Sequence, residues 1–237
     1  MAITLVQWDD GYPGSSLAYP SPPTAGNLLI VTAEWSNALV GTGWPVLAPT
    51  LSDTNGNTWY VAGNAISDES WINQYKSEMR MWYAWNCKGG ASTVSFTPPV
   101  GMGDNGLQVF EYSGIDINTD PLDQSSSFAP TSADAIETSI TTTSPGLVFA
   151  AYGCERGGGD VTSIASPFTV IHNGSGHYDY QSDVRSAAAG THTSTYTITT
   201  DSIKANSVMV LAGFRAAVEV GGLQLWPTYN EIIIDSL

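Results

Sequence analysis

The sequence predicts an all-β protein, a two-sheet antiparallel sandwich of jelly-roll type, and two observations carry that prediction. Gly, Ser, Thr, Asn and aromatic residues abound while Lys, Glu and Leu are sparse, a balance that suits strands and turns and disfavours helices. Short runs with a period of two are punctuated by Gly, Pro and Asx clusters along the chain, the pattern of many short strands. A length of 237 residues fits one such body, because sandwiches run to about 200–250 residues as single units.

Residues 3–8 form the first strand, ended by Asp9-Asp10-Gly11 and a Pro-rich passage to Pro23. Thr24-Ala25-Gly26-Asn27 then turns into residues 28–35, an almost unbroken apolar run that belongs at the centre of a sheet. Residues 41–49 are loop, Asp53-Thr54-Asn55-Gly56-Asn57 is a turn, and residues 58–62 begin another strand. The polar stretch 67–76 is the one place suited to a short helix. In residues 79–87, Met79, Met81, Tyr83, Trp85 and Cys87 share one face, and Arg80, Trp82, Ala84 and Asn86 the other. Lys88-Gly89-Gly90 turns into 92–97, with Val94 and Phe96 inward, and a Pro/Gly loop leads to 107–113. These three strands are expected to lie side by side and to set the register of the sheet.

The second half repeats the style. A Ser/Thr/Asp-rich excursion precedes a strand at 136–143, and Ser144-Pro145-Gly146 turns into 147–152, which echoes the run at Leu28. The echo is too short to count as a sequence repeat. Strands follow at 168–172, 191–198 and 207–214, with Asn173-Gly174 as a hairpin-type turn. The body is expected to span 1–220. Gly221-Gly222 separates it from a strand-like extension over 221–237, in which Leu223, Leu225, Trp226, Ile232, Ile233 and Ile234 supply apolar material for pairing with a neighbouring subunit.

Several strings resemble a largely uncharacterised β-sandwich family of bacterial secreted and phage proteins. They are Gly26-Asn27-Leu28-Leu29-Ile30-Val31, Ser52-Asp53 with Gly56-Asn57-Thr58-Trp59, Trp82-Tyr83-Ala84 with Gly89-Gly90 and Thr93-Val94, and Glu111-Tyr112-Ser113-Gly114-Ile115. The resemblance covers roughly residues 3–215 and implies a fold; it brings no catalytic residues with it.

Charge narrows the function classes. Seven Lys and Arg against 22 Asp and Glu give a net charge of −15, which argues against a phosphate backbone or an anionic membrane surface as partner. No apolar run reaches the ~18–20 residues of a membrane span, and the N-terminus lacks a signal-peptide pattern. An extracellular or virion setting fits best. Cys87 and Cys154 are expected as buried thiols, with a single disulfide as the alternative.

Candidate chemistry is thin. Glu34 and Glu111 lie on apolar strands, and as a pair about 5–5.5 Å apart they would suit a retaining glycosidase. Asp53, Asn55 and Asn57 offer oxygen ligands at alternate positions, a spacing that admits Ca²⁺, though an Asx turn explains it as well. His172, His177, Asp179 and Asp183 match no defined zinc spacing and read as a solvated loop. Eight Trp and eleven Tyr exceed the needs of the core. Of these, Trp44, Trp71, Tyr75, Tyr178 and Tyr180 are the expected glycan or partner contacts. The function expected is therefore non-enzymatic: a surface or virion structural and adhesion module, cofactor-free unless calcium sits at Asp53, assembling with its own copies or other subunits. A carbohydrate-binding or glycosidase role is the alternative.

Overall fold

Period-two patterning becomes strand almost throughout the computed structural model, which describes residues 2–38, 49–67, 75–98, 103–129, 135–154, 161–174, 179–198 and 207–218. The first half holds β1 (Thr4–Gly11), β2 (Ser16–Ala18), β3 (Leu28–Ala38), β4 (Thr50–Asp53), β5 (Tyr60–Ile66), β6 (Tyr75–Ala84), β7 (Thr93–Thr97) and β8 (Gly103–Ser113). The second holds β9 (Leu122–Phe128), β10 (Ala135–Thr142), β11 (Gly146–Cys154), β12 (Val161–Ile164), β13 (Thr169–Asn173), β14 (Asp179–Ala187), β15 (Gly190–Ile198) and β16 (Ser207–Arg215).

In the first half, β1-β8-β3-β6-β5 make a five-stranded inner sheet and β2-β7-β4 a three-stranded outer sheet. The second half pairs β9-β16-β11-β14-β13 with β10-β15-β12. Adding eight to every strand number of the first half reproduces the second. Each half is a jelly roll in which the chain passes back and forth between its two sheets. The all-β antiparallel sandwich class is what the sequence implied; here the sandwich occurs twice.

The register supports this equivalence residue by residue. One extra, unpaired residue interrupts β1 at Val6 and β9 at Asp123, and another interrupts β5 at Ala62 and β13 at Ile171. These bulges fall at matching positions and equate Leu28 with Leu147, Met81 with Gln181 and Tyr112 with Phe214. The short echo at Leu28 and Leu147 therefore marks two strands with the same place in their sheets.

The inner sheets face each other, giving four sheets and three apolar layers among the described residues. The middle layer sets Ile30, Met81, Tyr83, Phe110 and Tyr112 against Leu147, Phe149, Val210 and Phe214. One outer layer packs Leu29, Val31, Trp35 and Trp82 on Val94 and Phe96, and the other packs Val148, Tyr152 and Leu211 on Ile136, Ile140 and Tyr196. A strand buried on both faces needs apolar residues at consecutive positions. This is why β3 and β11 are nearly continuous apolar runs.

Across the seam β5 meets β9, and β6 meets β16; on the other side Trp8 of β1 touches His172 of β13. Equivalent strands thus exchange roles, as across a two-fold axis. The contact of Tyr83 with Phe214, ring centroids 5.4 Å apart, has as its mate the hydrogen bond from Tyr112 to Asp183, since Tyr83 matches Asp183 and Phe214 matches Tyr112.

Some expectations need correction. The three strands over 79–113 do not lie side by side, because β7 belongs to the outer sheet with β2 and β4. The expected alternation holds from Met79 to Ala84, but the strand ends there, and Cys87 packs in the outer layer instead of beside Met81. The excursion after Asp116 contains β9, and β14 follows the Asn173 turn, a strand whose polar residues the pattern did not reveal. Of the stretch 67–76, suited to a short helix, Tyr75 and Lys76 belong to β6, and residues 68–74 lie outside the described residues, as does the extension over 221–237.

Candidate functional site

The bulges decide which side chains enter the seam. Without the extra residue at Val6, alternation would turn Trp8 and Asp10 toward the outer sheet; with it, they stand opposite Phe110 and Gln108 on the seam face. Likewise the extra residue at Ile171 places His172 opposite Gln181 and into the seam. Asp10, Gln108, His172 and Asp179 therefore converge from β1, β8, β13 and β14.

His172 Nε2 lies 3.7 Å from Asp10 Oδ2 and 3.7 Å from Asp179 Oδ2. The carbonyl of Gln108 accepts a hydrogen bond from Thr32 Oγ1 at 2.8 Å. Its amide is thereby oriented to donate to Asp179 and, at 3.3 Å, to Asp10 Oδ1. Trp8 covers the imidazole with ring centroids 5.2 Å apart. His172 is 8% exposed and Asp179 3%, yet His172 Nε2 and Asp179 Oδ1 have no hydrogen-bond partner among the described residues. Gly174 lies so close to Asp179 that a β-carbon there would collide with its carboxylate. Burial opposes protonation of His172, but Asp179 and then Asp10 outweigh it and hold the imidazole pKa above its ordinary value. Farther along the seam, Asp183 accepts from Tyr112 at 2.8 Å and from Arg185 at 2.7 Å.

His172 lies in the strand expected over 168–172, but the cluster it forms with Asp179 was expected in a solvated loop; both residues are buried and in strands. Asp183 lies on the same strand with partners of its own, and His177 lies outside the described residues. Asp10 and Gln108 were missed. A polar side chain inside the apolar run of β8 was the available signal, but its partner depends on two bulges that no period reveals.

Glu34 and Glu111 do not meet. Glu34 is opposite Gly106, and Glu111 is opposite Leu29, five residues away along β3; at about 3.3 Å per residue this is roughly 16 Å. They also point to opposite faces, Glu34 toward Gly153 across the seam and Glu111 toward the outer side. Glu111 is fully buried and accepts from Gln7, from the Thr24 amide at 2.8 Å and from Asn27 at 2.6 Å. These donors make it a staple between β8 and the turn before β3, and the glycosidase geometry is not formed.

The Asp53 turn is also occupied by its own donors. Asp53 accepts from the Asn57 amide at 2.9 Å and from the Asn57 side chain. Asn55 donates to the Gly89 carbonyl, and Asn57 Oδ1 accepts from the Lys88 amide. The Lys88 ammonium reaches the Gly56 carbonyl, and these bonds are those of the Asx turn by which the spacing was also explained.

Among the expected aromatic contacts, Tyr180 is core, 2% exposed and packed on Tyr152 at 6.0 Å. Tyr75 begins β6, while Trp44, Trp71, Tyr178 and the apolar residues from Leu223 to Ile234 lie outside the described residues. Cys87 and Cys154 are buried and are not joined in a disulfide. A separate surface hollow of about 190 Å³ is lined by Asn57, Thr58, Tyr60, Trp85, Asn86 and Lys88. No family model, curated protein or solved structure matches the chain.

Proposed function

We propose that this chain is a non-enzymatic structural and adhesion module of a virion or cell surface that assembles with copies of itself through the edge strands of its inner sheets. The observation that carries this reading is the placement of exposed apolar side chains on both edges. Among the described residues, β1 and β13 end the inner sheets on one side and β5 and β9 on the other. Val6, Trp8 and Val170 are exposed on the first, and Tyr60, Val61, Ile66 and Phe128 on the second. Unpaired edge strands template the addition of another strand, and two opposite edges let each copy meet two neighbours. Residues 221–237 are a candidate strand donor. The base-poor composition and the resemblance to secreted and phage sandwiches support the setting.

Light scattering across a concentration series tests the assembly. Val61→Lys and Val170→Lys, each placing a charge on one edge, are expected to reduce a concentration-dependent oligomer to monomer. A wild-type chain that stays monomeric throughout would reject the reading. Removing residues 221–237 separates edge pairing by the body from strand donation by the tail.

The surface hollow favours a second role in the same module. Tyr60 and Trp85 are aromatic and Asn57, Asn86 and Lys88 polar among its lining residues, a combination that suits the apolar face and hydroxyls of a sugar. Loss of glycan-array binding in Tyr60→Ala would support it; undiminished binding would remove the hollow from consideration.

A further inference from the structure

We propose that Asp10, His172 and Asp179 form a binding site for a divalent transition-metal ion of the zinc class, which ties the first jelly roll to the second. One imidazole nitrogen and two carboxylates are a donor set for such ions. Their ligating atoms all lie within 4.8 Å of one another. A tetrahedral ion with bonds of ~2.1 Å has ligand-to-ligand edges of about 3.4 Å, so the two 3.7 Å separations at His172 Nε2 need to close by only a few tenths of an ångström.

A second observation is independent of the cluster's composition. Among the described residues, His172 Nε2 and Asp179 Oδ1 are buried polar atoms without hydrogen-bond partners, and leaving such atoms without one is costly. A cation held at His172 Nε2 gives that atom a partner, with Asp10 Oδ2 and Asp179 Oδ2 each 3.7 Å from the nitrogen. Gln108 then serves as an orienting residue, holding both carboxylates through an amide itself fixed by Thr32, the usual arrangement around metal ligands.

The duplication supplies an internal control. Matching the bulges and registers places Ser127 where Asp10 stands, Val210 for Gln108, Gly63 for His172 and Met79 for Asp179. On that side the seam closes with Val210 against Gly63, so the fold does not require polar groups here. The first half gives one ligand and the second gives two, so the ion bridges them.

The test uses the full chain, stripped with chelator and titrated calorimetrically with Zn²⁺, Mn²⁺ and Ca²⁺, with the melting temperature read in parallel. Zn²⁺ or Mn²⁺ is expected to bind at one per chain and raise the melting temperature. Asp10→Asn and His172→Gln are each expected to weaken binding at least tenfold, and Ser127→Ala to leave it unchanged. Asp10→Asn keeps the shape of a partly exposed side chain, so its circular dichroism should match wild type. Absence of Zn²⁺ and Mn²⁺ binding to folded wild-type chain, binding that survives both ligand substitutions, or a preference for Ca²⁺ would overturn the assignment.

Discussion

Asp123 shows how one residue's position sets a pH response. It is the bulged residue of β9, and the bulge turns its carboxylate toward the next turn, where it accepts from Thr143 N–H at 2.6 Å, Thr143 Oγ1 at 2.7 Å and Ser144 N–H at 3.1 Å. Partial burial pushes its pKa up, but the Thr143 and Ser144 donors prevail and hold it below the ordinary carboxylate value. A group with a depressed folded pKa gives stability that is present above its unfolded value, about pH 4 for Asp, and lost as pH falls through the folded one. Asp123→Asn should therefore melt lower than wild type at pH 6, and the gap should narrow by pH 3; an equal gap at both would exclude the linkage. At this scale the sequence was a poor guide. Glu34 and Glu111 looked alike, each a carboxylate on an apolar strand, yet one faces the seam and the other staples a turn, because strand parity assigns them to opposite faces.

Single elements were more legible than their partners. The unbroken apolar runs of β3 and β11 were readable as central strands because burial on both faces leaves no polar alternation. β9 and β14 were not, since Ser125, Ser126 and Ser127 in one and Asp179, Gln181 and Asp183 in the other lack the apolar period and become strands through pairing with β16 and β11. Bulges add a further obstacle, since each reverses which residues of its strand face inward. The apolar side of the seam makes a sharp prediction about element packing. A β-carbon at Gly63 would lie 2.5 Å from Val210 Cγ1, so Gly63→Ala should cost about 1–3 kcal/mol in chemical denaturation. Val210→Ala should recover part of that loss in the double variant, and strict additivity would show that the contact is not what limits the strand's approach.

For the whole molecule, the middle apolar layer makes each jelly roll part of the other's core. Phe149 of the second half lies against Phe110 and Tyr112 of the first, with ring centroids 4.9 Å and 6.2 Å away. Separating the halves would bare both inner sheets. The chain should therefore unfold in one calorimetric transition, with Phe149→Ala lowering stability by about 3–5 kcal/mol for both halves together. Two resolved transitions would contradict the shared core. The two-fold exchange of equivalent strands gives the tandem the layout of a homodimer, but with its halves joined in one chain. In a true homodimer any substitution is written twice, so a buried histidine gained at one corner of the interface must be carried at the other. Covalent fusion removes that constraint. One corner of this seam is free to hold charge and the other to close tightly on valine, and each can change without the other following.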